Sequence, residues 1–354
     1  MLDRFYPGAI WPDTNGVHIN AHGGGMLTHD GVTYWFGEHK IEGRAGNKAL
    51  VGVHCYASQD LYNWEDMGVV LEVSDDPESD IVKGCVLERP KVIYNATTRT
   101  FVMWFHLELK GQGYRAARSG VAVSDSVTGP YAFLRSFRPN AGVWPTNVTP
   151  GQAVTPDPPT AAREFSGSYA EDIDKANILG RDFAGGQMAR DQTLFVDDDG
   201  RAYHLYASEE NSTLQISLLT DDYLAPAGTY VRAFPGRYME APAMCKRQGR
   251  TYFIGSDCTG WAPNAARSAV ADAIWGPWTE LGNPCVGEGS ELTFGGQSTY
   301  ILPVPGKDDA FIAMFDLWRP DNAIDGRYLW LPMCFVDGRF ELRNVTEWDL
   351  SVFD

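Results

Sequence analysis

A pattern of strand and turn recurs five times along this chain of 354 residues. Each repeat opens with an aromatic-rich segment, and four of the segments follow turn residues such as Asp30-Gly31 and Asp199-Gly200. Asp-Gly between apolar runs favours a tight hairpin because glycine tolerates positive φ. The five opening segments are Val32–Gly37, Thr100–Phe105, Arg201–Tyr206, Arg250–Gly255 and Ala310–Phe315. A repeat of about 50 residues that contains only strands and cannot bury its own faces is typical of a propeller blade.

The repeats therefore predict an all-β fold, a five-bladed β-propeller, with residues 1–354 forming a single domain. The N-terminal segment is expected to complete the last blade, since closing the ring removes an exposed sheet edge. Residues 139–187 contain six prolines and no strand pattern, which predicts an irregular insertion between the second and third blades. The predicted blades lie near residues 17–75, 83–138, 188–235, 238–286 and 290–350.

The composition of the chain limits the kinds of molecule that it can be expected to bind. The net charge of −17 argues against nucleic acid and anionic membranes, because both select basic surfaces. An acidic chain rich in Trp and Tyr suits a neutral polar ligand such as a sugar, although a solvated acidic surface would give the same composition. The start of the chain, Met1–Gly8, lacks the pattern of a secretory signal. We expect a cytoplasmic location if the sequence is the whole protein, and a secreted or periplasmic one if a leader has been removed.

Two glutamates stand next to prolines at the predicted starts of inner strands. They are Glu88 in Leu87–Val92 and Glu240 in Met239–Met244. Either residue could cap a turn or pair with an arginine, but two equivalent positions favour a shared place in the central funnel. Two inward acids suit glycoside hydrolysis, in which one carboxylic acid protonates the leaving oxygen. The second carboxylate would raise the pKa of the first.

Other signatures are absent or ambiguous. Phosphate-binding, serine-hydrolase and zinc-protease motifs do not occur, and the cysteines lack metal-binding spacing, so no metal or cofactor is expected. Asp197–Gly200 could be a calcium loop, but we interpret it as a solvent-exposed hairpin tip. Trp261 and Trp318 could stack on a sugar or pack between blades.

Several motifs together resemble glycoside hydrolase family 43, and the similarity is greatest to the exo-β-1,3-galactanase branch of that family. The motifs occur in family order at Ile19–Gly25, Tyr34–Lys40, Leu87–Val92, Arg190–Gly200, Met239–Pro242 and Gly296–Thr299. The resemblance implies an exo-acting, inverting hydrolase that releases galactose from β-1,3-galactan, with an oligosaccharide or polysaccharide as substrate. The alternatives are an α-L-arabinofuranosidase or β-xylosidase of the same family, and a propeller that binds glycan without catalysis.

The resemblance also implies roles for individual residues. Most of the family has an aspartate base at the start of the first inner strand, but here Asn20–Gly25 contains no carboxylate. As in the galactanase branch, Gln297 is therefore expected to hold the attacking water. Glu240 is expected to be the general acid and Glu88 the residue that modulates its pKa. The residues expected to bind sugar are Glu38, Asp191, Thr259, Glu210 and Trp318, with Glu209 as an alternative to Glu210.

Overall fold

The computed structural model describes residues 1–156, 176–260 and 262–354, and within these ranges the fold is all-β. Four antiparallel sheets have four strands each, and neighbouring strands in the sequence are neighbours in the sheet. The first contains β1 (His22–His29), β2 (Val32–Glu38), β3 (Gly52–Ser58) and β4 (Glu65–Glu72). The second contains β5 (Val86–Asn95), β6 (Thr100–Glu108), β7 (Arg118–Ser124) and β8 (Ala132–Phe137). The third contains β9 (Gln192–Val196), β10 (Ala202–Ser208), β11 (Thr213–Leu219) and β12 (Pro226–Ala233). The fourth contains β13 (Glu240–Arg247), β14 (Arg250–Ser256), β15 (Arg267–Ala271) and β16 (Thr279–Gly282).

The remaining strands form two sheets of three. One contains β18 (Gln297–Pro303), β19 (Phe311–Leu317) and β20 (Arg327–Pro332). The other contains β17 (Cys285–Val286), β21 (Cys334–Val336) and β22 (Arg339–Arg343), with β22 in the middle. The helical segments are short, with an α-helix at Ile178–Arg181 and 3₁₀ turns at Arg44–Asn47, Ser290–Gly295, Ala323–Asp325 and Leu350–Phe353. No helix in the described ranges has the length and apolar character needed to cross a membrane.

The prediction of a five-bladed propeller is wrong: the described residues form six sheets, which makes a six-bladed propeller. The prediction assigned 290–350 to one blade. The strand ladder of that blade ends at Pro332, which has no N–H to donate, and β21 and β22 then form a separate sheet. β22 pairs in parallel with β17, a segment that precedes β18. Such a long-range parallel pairing leaves no local turn signal in the sequence.

The first strands of five sheets lie side by side around a central funnel. β1 contacts β5, β5 contacts β9, β9 contacts β13, β13 contacts β18, and β18 contacts β1 again. The chain termini meet beside this ring, where Phe5 and Trp348 exchange two backbone hydrogen bonds of 2.7 and 3.1 Å. The aromatic core here includes Phe5, Trp11, Trp35, Trp330 and Trp348. The ring of inner strands thus closes where β18 contacts β1, and the two chain ends pack against each other.

Three of the inner strands begin with the same irregularity. The register shifts at the first residues of β1, β5 and β13, and one residue there adopts positive φ. The three residues are Gly23 with φ 60°, Arg89 with φ 52° and Ala241 with φ 53°. A β-bulge re-aims the side chains next to it. His22, Glu88 and Glu240, which directly precede the bulged residues, therefore occupy equivalent positions in three sheets.

The predicted insertion at 139–187 is described at both ends, and residues 157–175 lie outside the described ranges. At its start, Trp144 stacks on Phe183 with ring centroids 4.2 Å apart. Near its end, Gln187 donates from its backbone N–H to the carbonyl of Pro139 at 2.7 Å. The described ends of the insertion thus lie against each other.

Candidate active site

A cavity of about 220 Å³ opens where the inner strands begin. Its walls come from five sheets and the loops between them, although the residues are far apart in sequence. The lining residues are Glu38, Glu88, Arg89, Tyr114, Asp191, Glu240, Gly260, Gln297 and Trp318. The strand starts that carry Glu88, Glu240 and Gln297 thus bring these side chains to one cavity.

Glu88 is held as a carboxylate by donors on two sides. Tyr114 donates its hydroxyl to Glu88 Oε1 at 2.6 Å, and His106 Nδ1 lies 3.0 Å from Oε2. Burial by itself would raise the pKa of Glu88, but the hydrogen bond and positive charge of His106, with Lys40 and Tyr114, lower it to about 2. Glu88 is therefore ionised throughout the physiological pH range.

His106 bridges two acids. Its Nε2 donates to Glu108 Oε1 at 2.9 Å, on the side away from Glu88, and Glu108 Oε2 accepts from the backbone N–H of Ala117 at 2.9 Å. Burial would lower the pKa of His106, but Glu108 and Glu88 outweigh it and raise the pKa to about 9. The imidazole is consequently a buried cation at neutral pH.

Glu240 has the opposite protonation state. Removal from bulk water and the charges of Asp191 and Glu88 raise its pKa to about 8, against the opposing charges of Arg89 and Arg190. Its Oε1 accepts a hydrogen bond of 3.1 Å from Asn211 Nδ2. Glu240 thus carries a proton at neutral pH, whereas Glu88 does not.

Arg89 connects the remaining polar groups of the cavity. Its Nε lies 2.9 Å from Asp191 Oδ1, and one terminal nitrogen donates to Gln297 Oε1 at 2.7 Å. The same Oε1 accepts from Trp318 Nε1 at 3.2 Å, while Gln297 Nε2 donates to Ser256 Oγ at 3.0 Å. Because donors and acceptor are matched in this way, the amide of Gln297 has one orientation.

Glu38, the last residue of β2, and Trp318, which follows β19, form another wall of the cavity. Glu38 makes a buried ion pair with Lys40 and accepts the backbone N–H of Arg89 at 2.8 Å. Burial raises the pKa of Glu38, opposed by the charge of Lys40 and reinforced by Glu88. Trp318 stacks on His22 with centroids 4.4 Å apart, and the Lys40 ammonium lies 5.2 Å from the Trp318 ring centre. The Trp318 ring is thereby fixed at the cavity wall.

A second cleft of about 380 Å³ adjoins the cavity and shares Gly260, Gln297 and Trp318 with it. Ser256, Asn264, Phe294 and Arg319 are among its other lining residues. The cavity thus adjoins a larger space beside Gln297.

Comparison with known proteins places this architecture in a family. Residues 159–299 match the family Glycosyl hydrolases family 43. A solved β-1,3-galactosidase of that family, in complex with galactodeoxynojirimycin, is 52% identical, with a TM-score of 0.92, and the match covers 98% of this chain and 100% of that one. The chain belongs to glycoside hydrolase family 43.

Other relatives of this family 43 chain are more distant. The exo-β-1,3-galactanase from Phanerochaete chrysosporium, solved with β-1,3-galactotriose, is 30% identical with a TM-score of 0.79, and the match covers 99% of this chain and 68% of that one. A β-D-galactofuranosidase of Aspergillus niger is 30% identical over 142 residues, which are 36% of this chain and 41% of that protein. This chain therefore spans less than half the length of that curated relative.

Two predicted site residues of the family 43 chain lie outside the lining of the smaller cavity. Thr259 is exposed, and its hydroxyl donates to the carbonyl of Ala262 at 2.5 Å. Glu210 accepts from Arg181 at 2.9 Å and from Arg190 at 3.4 Å. Their assignment to substrate binding stays a prediction. Trp261, which we considered as a stacking face, lies outside the described residues.

The alternative to Glu210 has a different environment. Glu209 is fully buried and pairs with Arg232 through both carboxylate oxygens, at 2.8 and 2.7 Å. Unlike Glu38, Glu209 lines neither the cavity nor the adjoining cleft.

Sequence reasoning missed several residues of the family 43 site. Arg89 directly follows Glu88 in the motif Leu87–Val92, so the motif could also have indicated that Arg89 lies at the site. Lys40 likewise ends the motif Tyr34–Lys40. Tyr114, His106 and Asn211 carried no signal, because each reaches the site by packing of a loop or neighbouring strand rather than by its position in a motif.

One group of side chains has the composition of a metal site. Glu88, His106 and Asp191 offer ligand atoms within 4.8 Å of one another. Both nitrogens of His106 already face carboxylates, with Nδ1 3.0 Å from Glu88 Oε2 and Nε2 2.9 Å from Glu108 Oε1. A metal would have to displace one of these contacts.

Proposed function

We propose that this family 43 glycoside hydrolase releases galactose from the end of β-1,3-linked galactan, with inversion at the anomeric carbon. The observation that carries the proposal is a small cavity with one protonated and one ionised glutamate, in a chain 52% identical over its length to a β-1,3-galactosidase. A small cavity beside a larger cleft suits removal of a single terminal sugar.

Glu240 is the proposed general acid. A carboxylic acid whose pKa is about 8 retains its proton near neutral pH, so it can protonate the glycosidic oxygen as the bond breaks. The ionised Glu88 supports this role, since its negative charge is one of the causes that raise the pKa of Glu240.

Gln297 is proposed to hold the attacking water. Its amide is fixed by Arg89, Trp318 and Ser256, so it has the rigidity that positioning a water requires. In this role the nitrogen of an imidic-acid tautomer of Gln297 would accept a proton from the water while its Oε1–H proton leaves to solvent. This returns the side chain to the amide form whose hydrogen bonds the structure shows. Direct attack by water, without a covalent sugar intermediate, gives inversion.

The other cavity residues would hold the sugar. Glu38 and Asp191 offer carboxylate oxygens to hydroxyl groups, and the fixed ring of Trp318 offers an apolar face. The adjoining cleft of about 380 Å³ would take the remainder of the polysaccharide chain. The net charge of −17 supports the further proposal that neither nucleic acid nor a membrane is a partner.

The decisive experiment is a panel of substrates. The protein is incubated with β-1,3-galactan and with aryl α-L-arabinofuranoside, β-xyloside and β-galactofuranoside, and released monosaccharides are quantified. We expect galactose from galactan, appearing first as the α-anomer in proton NMR. Release of arabinose, xylose or galactofuranose instead would assign another activity of the family, and first appearance of β-galactose would contradict inversion.

A binding measurement separates an inactive glycan-binding propeller from an enzyme. Galactodeoxynojirimycin should raise the melting temperature and inhibit galactose release. A rise in melting temperature without hydrolysis of any substrate in the panel would support the binding module.

A further inference from the structure

The turn between β10 and β11 has an unfavourable backbone. Glu209, Glu210 and Asn211 follow one another with φ of 51°, 57° and 66°. Residues with a Cβ visit this left-handed region singly, and a run of three without glycine persists only where the surroundings impose it. Side-chain contacts therefore keep the turn in this conformation, and they show which residue the turn positions.

The first residue of the turn, Glu209, is held by buried hydrogen bonds. Arg232 on β12 grips Glu209 with two hydrogen bonds, and the two side chains are 4% and 0% exposed. Ser212 Oγ donates to the carbonyl of Glu209 at 2.5 Å, and Gln215 Nε2 to Glu209 Oε1 at 3.3 Å. This buried arrangement fixes where the turn begins.

The second residue is anchored to the insertion. Glu210 Oε1 accepts from Arg181, which belongs to the helix Ile178–Arg181, and Arg181 also pairs with Asp182 at 2.8 Å. Arg190 donates to Glu210 Oε2 from the segment that leads into β9. The described end of the insertion thus braces the middle of the turn.

The third residue, Asn211, faces the acid. Its Oδ1 accepts from Arg190 at 3.3 Å, so its Nδ2 is the atom that donates to Glu240 Oε1, at 3.1 Å. A carboxylic acid whose Oε1 accepts a hydrogen bond carries its proton on Oε2. The amide therefore selects which oxygen of Glu240 holds the proton.

We propose that Asn211 is a positioning residue for the general acid, and that the strained turn with its buried Glu209–Arg232 anchor keeps Asn211 in place. The proposal rests on the proposed function, since it assigns to Glu240 the proton that reaches the glycosidic oxygen. The charged groups that act on Glu240 include Asp191, Glu88, Arg89 and Arg190, and the Cys258 thiol is a further titratable group that hydrogen-bonds to it.

The test compares Asn211→Ala and Asn211→Asp on two substrates. β-1,3-galactotriose needs protonation of its leaving oxygen, whereas dinitrophenyl β-galactoside needs little. We expect kcat on the triose to fall about tenfold or more on loss of this hydrogen bond, with KM nearly unchanged. The rate on the dinitrophenyl substrate should stay within about twofold of wild type.

The pH profile gives a second readout. Loss of the N–H donor favours the protonated form of Glu240, so the basic limb of kcat/KM should move to higher pH in Asn211→Ala. It should move further in Asn211→Asp, where a carboxylate stands beside the acid. Equal losses on both substrates, or an unmoved basic limb, would overturn the proposal.

Two further variants complete the design. Asn63→Ala removes a half-buried amide that bonds Leu2 and Asp60 away from the cavity, and its kinetics should match wild type. Arg232→Lys keeps the positive charge beside Glu209 but loses the bidentate hydrogen bonding. It should give a smaller loss of kcat, again on the triose and not on the dinitrophenyl substrate. A wild-type protein that releases no galactose would refute the proposed function itself, whereas active wild type with unaffected Asn211 variants would refute only this inference.

Discussion

At the scale of single residues, two glutamates of the site differ in pKa because their surroundings differ. Both occupy the position before a bulged residue, yet the pKa of Glu88 is about 2 and that of Glu240 about 8. The difference arises because His106 and Tyr114 donate to Glu88, whereas Glu240 faces Asp191 and Glu88. Two like groups with such different pKa values can serve as acid and as fixed charge.

Replacement of the acid gives the first prediction. Glu240→Gln keeps the shape of the side chain but has no proton to transfer, so kcat on β-1,3-galactan should fall about 10²–10⁴-fold. Dinitrophenyl β-galactoside should be hydrolysed much closer to the wild-type rate. Glu280→Gln, on an exposed ion pair with Arg237, is the matched control. Normal turnover of galactan by Glu240→Gln would exclude it as the acid.

The second prediction concerns the buried imidazolium. The double variant His106→Gln, Glu108→Gln removes its positive charge without leaving Glu108 buried and unpaired. The pKa of Glu88 should then rise, so the acidic limb of kcat/KM should move to higher pH. The basic limb, set by Glu240 with its pKa of about 8, should stay in place, because Lys40 and Tyr114 still favour the ionised form of Glu88 at that pH.

A bell narrowed on its acidic side is thus the expected result, measured from pH 4 to pH 10 on galactotriose. His29→Gln, beside Asp30 on the outside of β1, should leave the profile unchanged. A double variant with a wild-type profile would show that His106 does not act through Glu88.

At the scale of the element, the bulged strand starts explain how much of the site the sequence could predict. The repeated Glu beside Pro pointed to Glu88 and Glu240, and both line the cavity. The equivalent position in β1 is His22, which lies in the segment where the sequence shows no carboxylate. Tyr114 and Asn211 reach the site from loops, and their approach depends on the packing of different sheets, which one sequence pattern does not encode.

The bulge in β1 gives the third prediction. Gly23 has φ of 60°, and a Cβ there would lie 2.1 Å from Glu38 Oε1. Gly23→Ala should therefore displace Glu38, lower the melting temperature and raise KM for galactotriose. Gly31→Ala has a similar φ of 79° with nothing within 4 Å, so it separates backbone strain from the clash. Equal effects of the two variants on KM would mean that contact with Glu38 is not what matters.

At the scale of the whole molecule, the number of sheets was the feature that the sequence did not predict. Local turn signals located the second strands of five sheets, β2, β6, β10, β14 and β19. The strands that precede them in the chain surround the funnel. The sixth sheet joins Cys285–Val286 to Arg339–Arg343 in parallel, across the intervening sheet of β18, β19 and β20. A pairing of this kind depends on three-dimensional packing, because no hairpin connects its strands.

The contact between the two chain ends gives the last prediction. Trp348 is buried against Phe5 with ring centroids 4.3 Å apart, and its indole N–H donates to the carbonyl of Trp330 at 2.8 Å. Trp348→Ala should lower the free energy of unfolding by about 3–5 kcal/mol, the usual effect of removing a large buried aromatic side chain. Because Trp348 does not line the cavity, kcat and KM of the folded fraction should remain near wild type at low temperature.

Urea denaturation followed by tryptophan fluorescence, with galactotriose kinetics at 15 °C, tests both parts of this prediction. Val352→Ala, at an exposed position in the same terminal segment, should change neither quantity. A large loss of turnover in folded Trp348→Ala would show that closure also shapes the site. Unchanged stability would show that the ring is held by the sheets alone, without the contact between the chain ends.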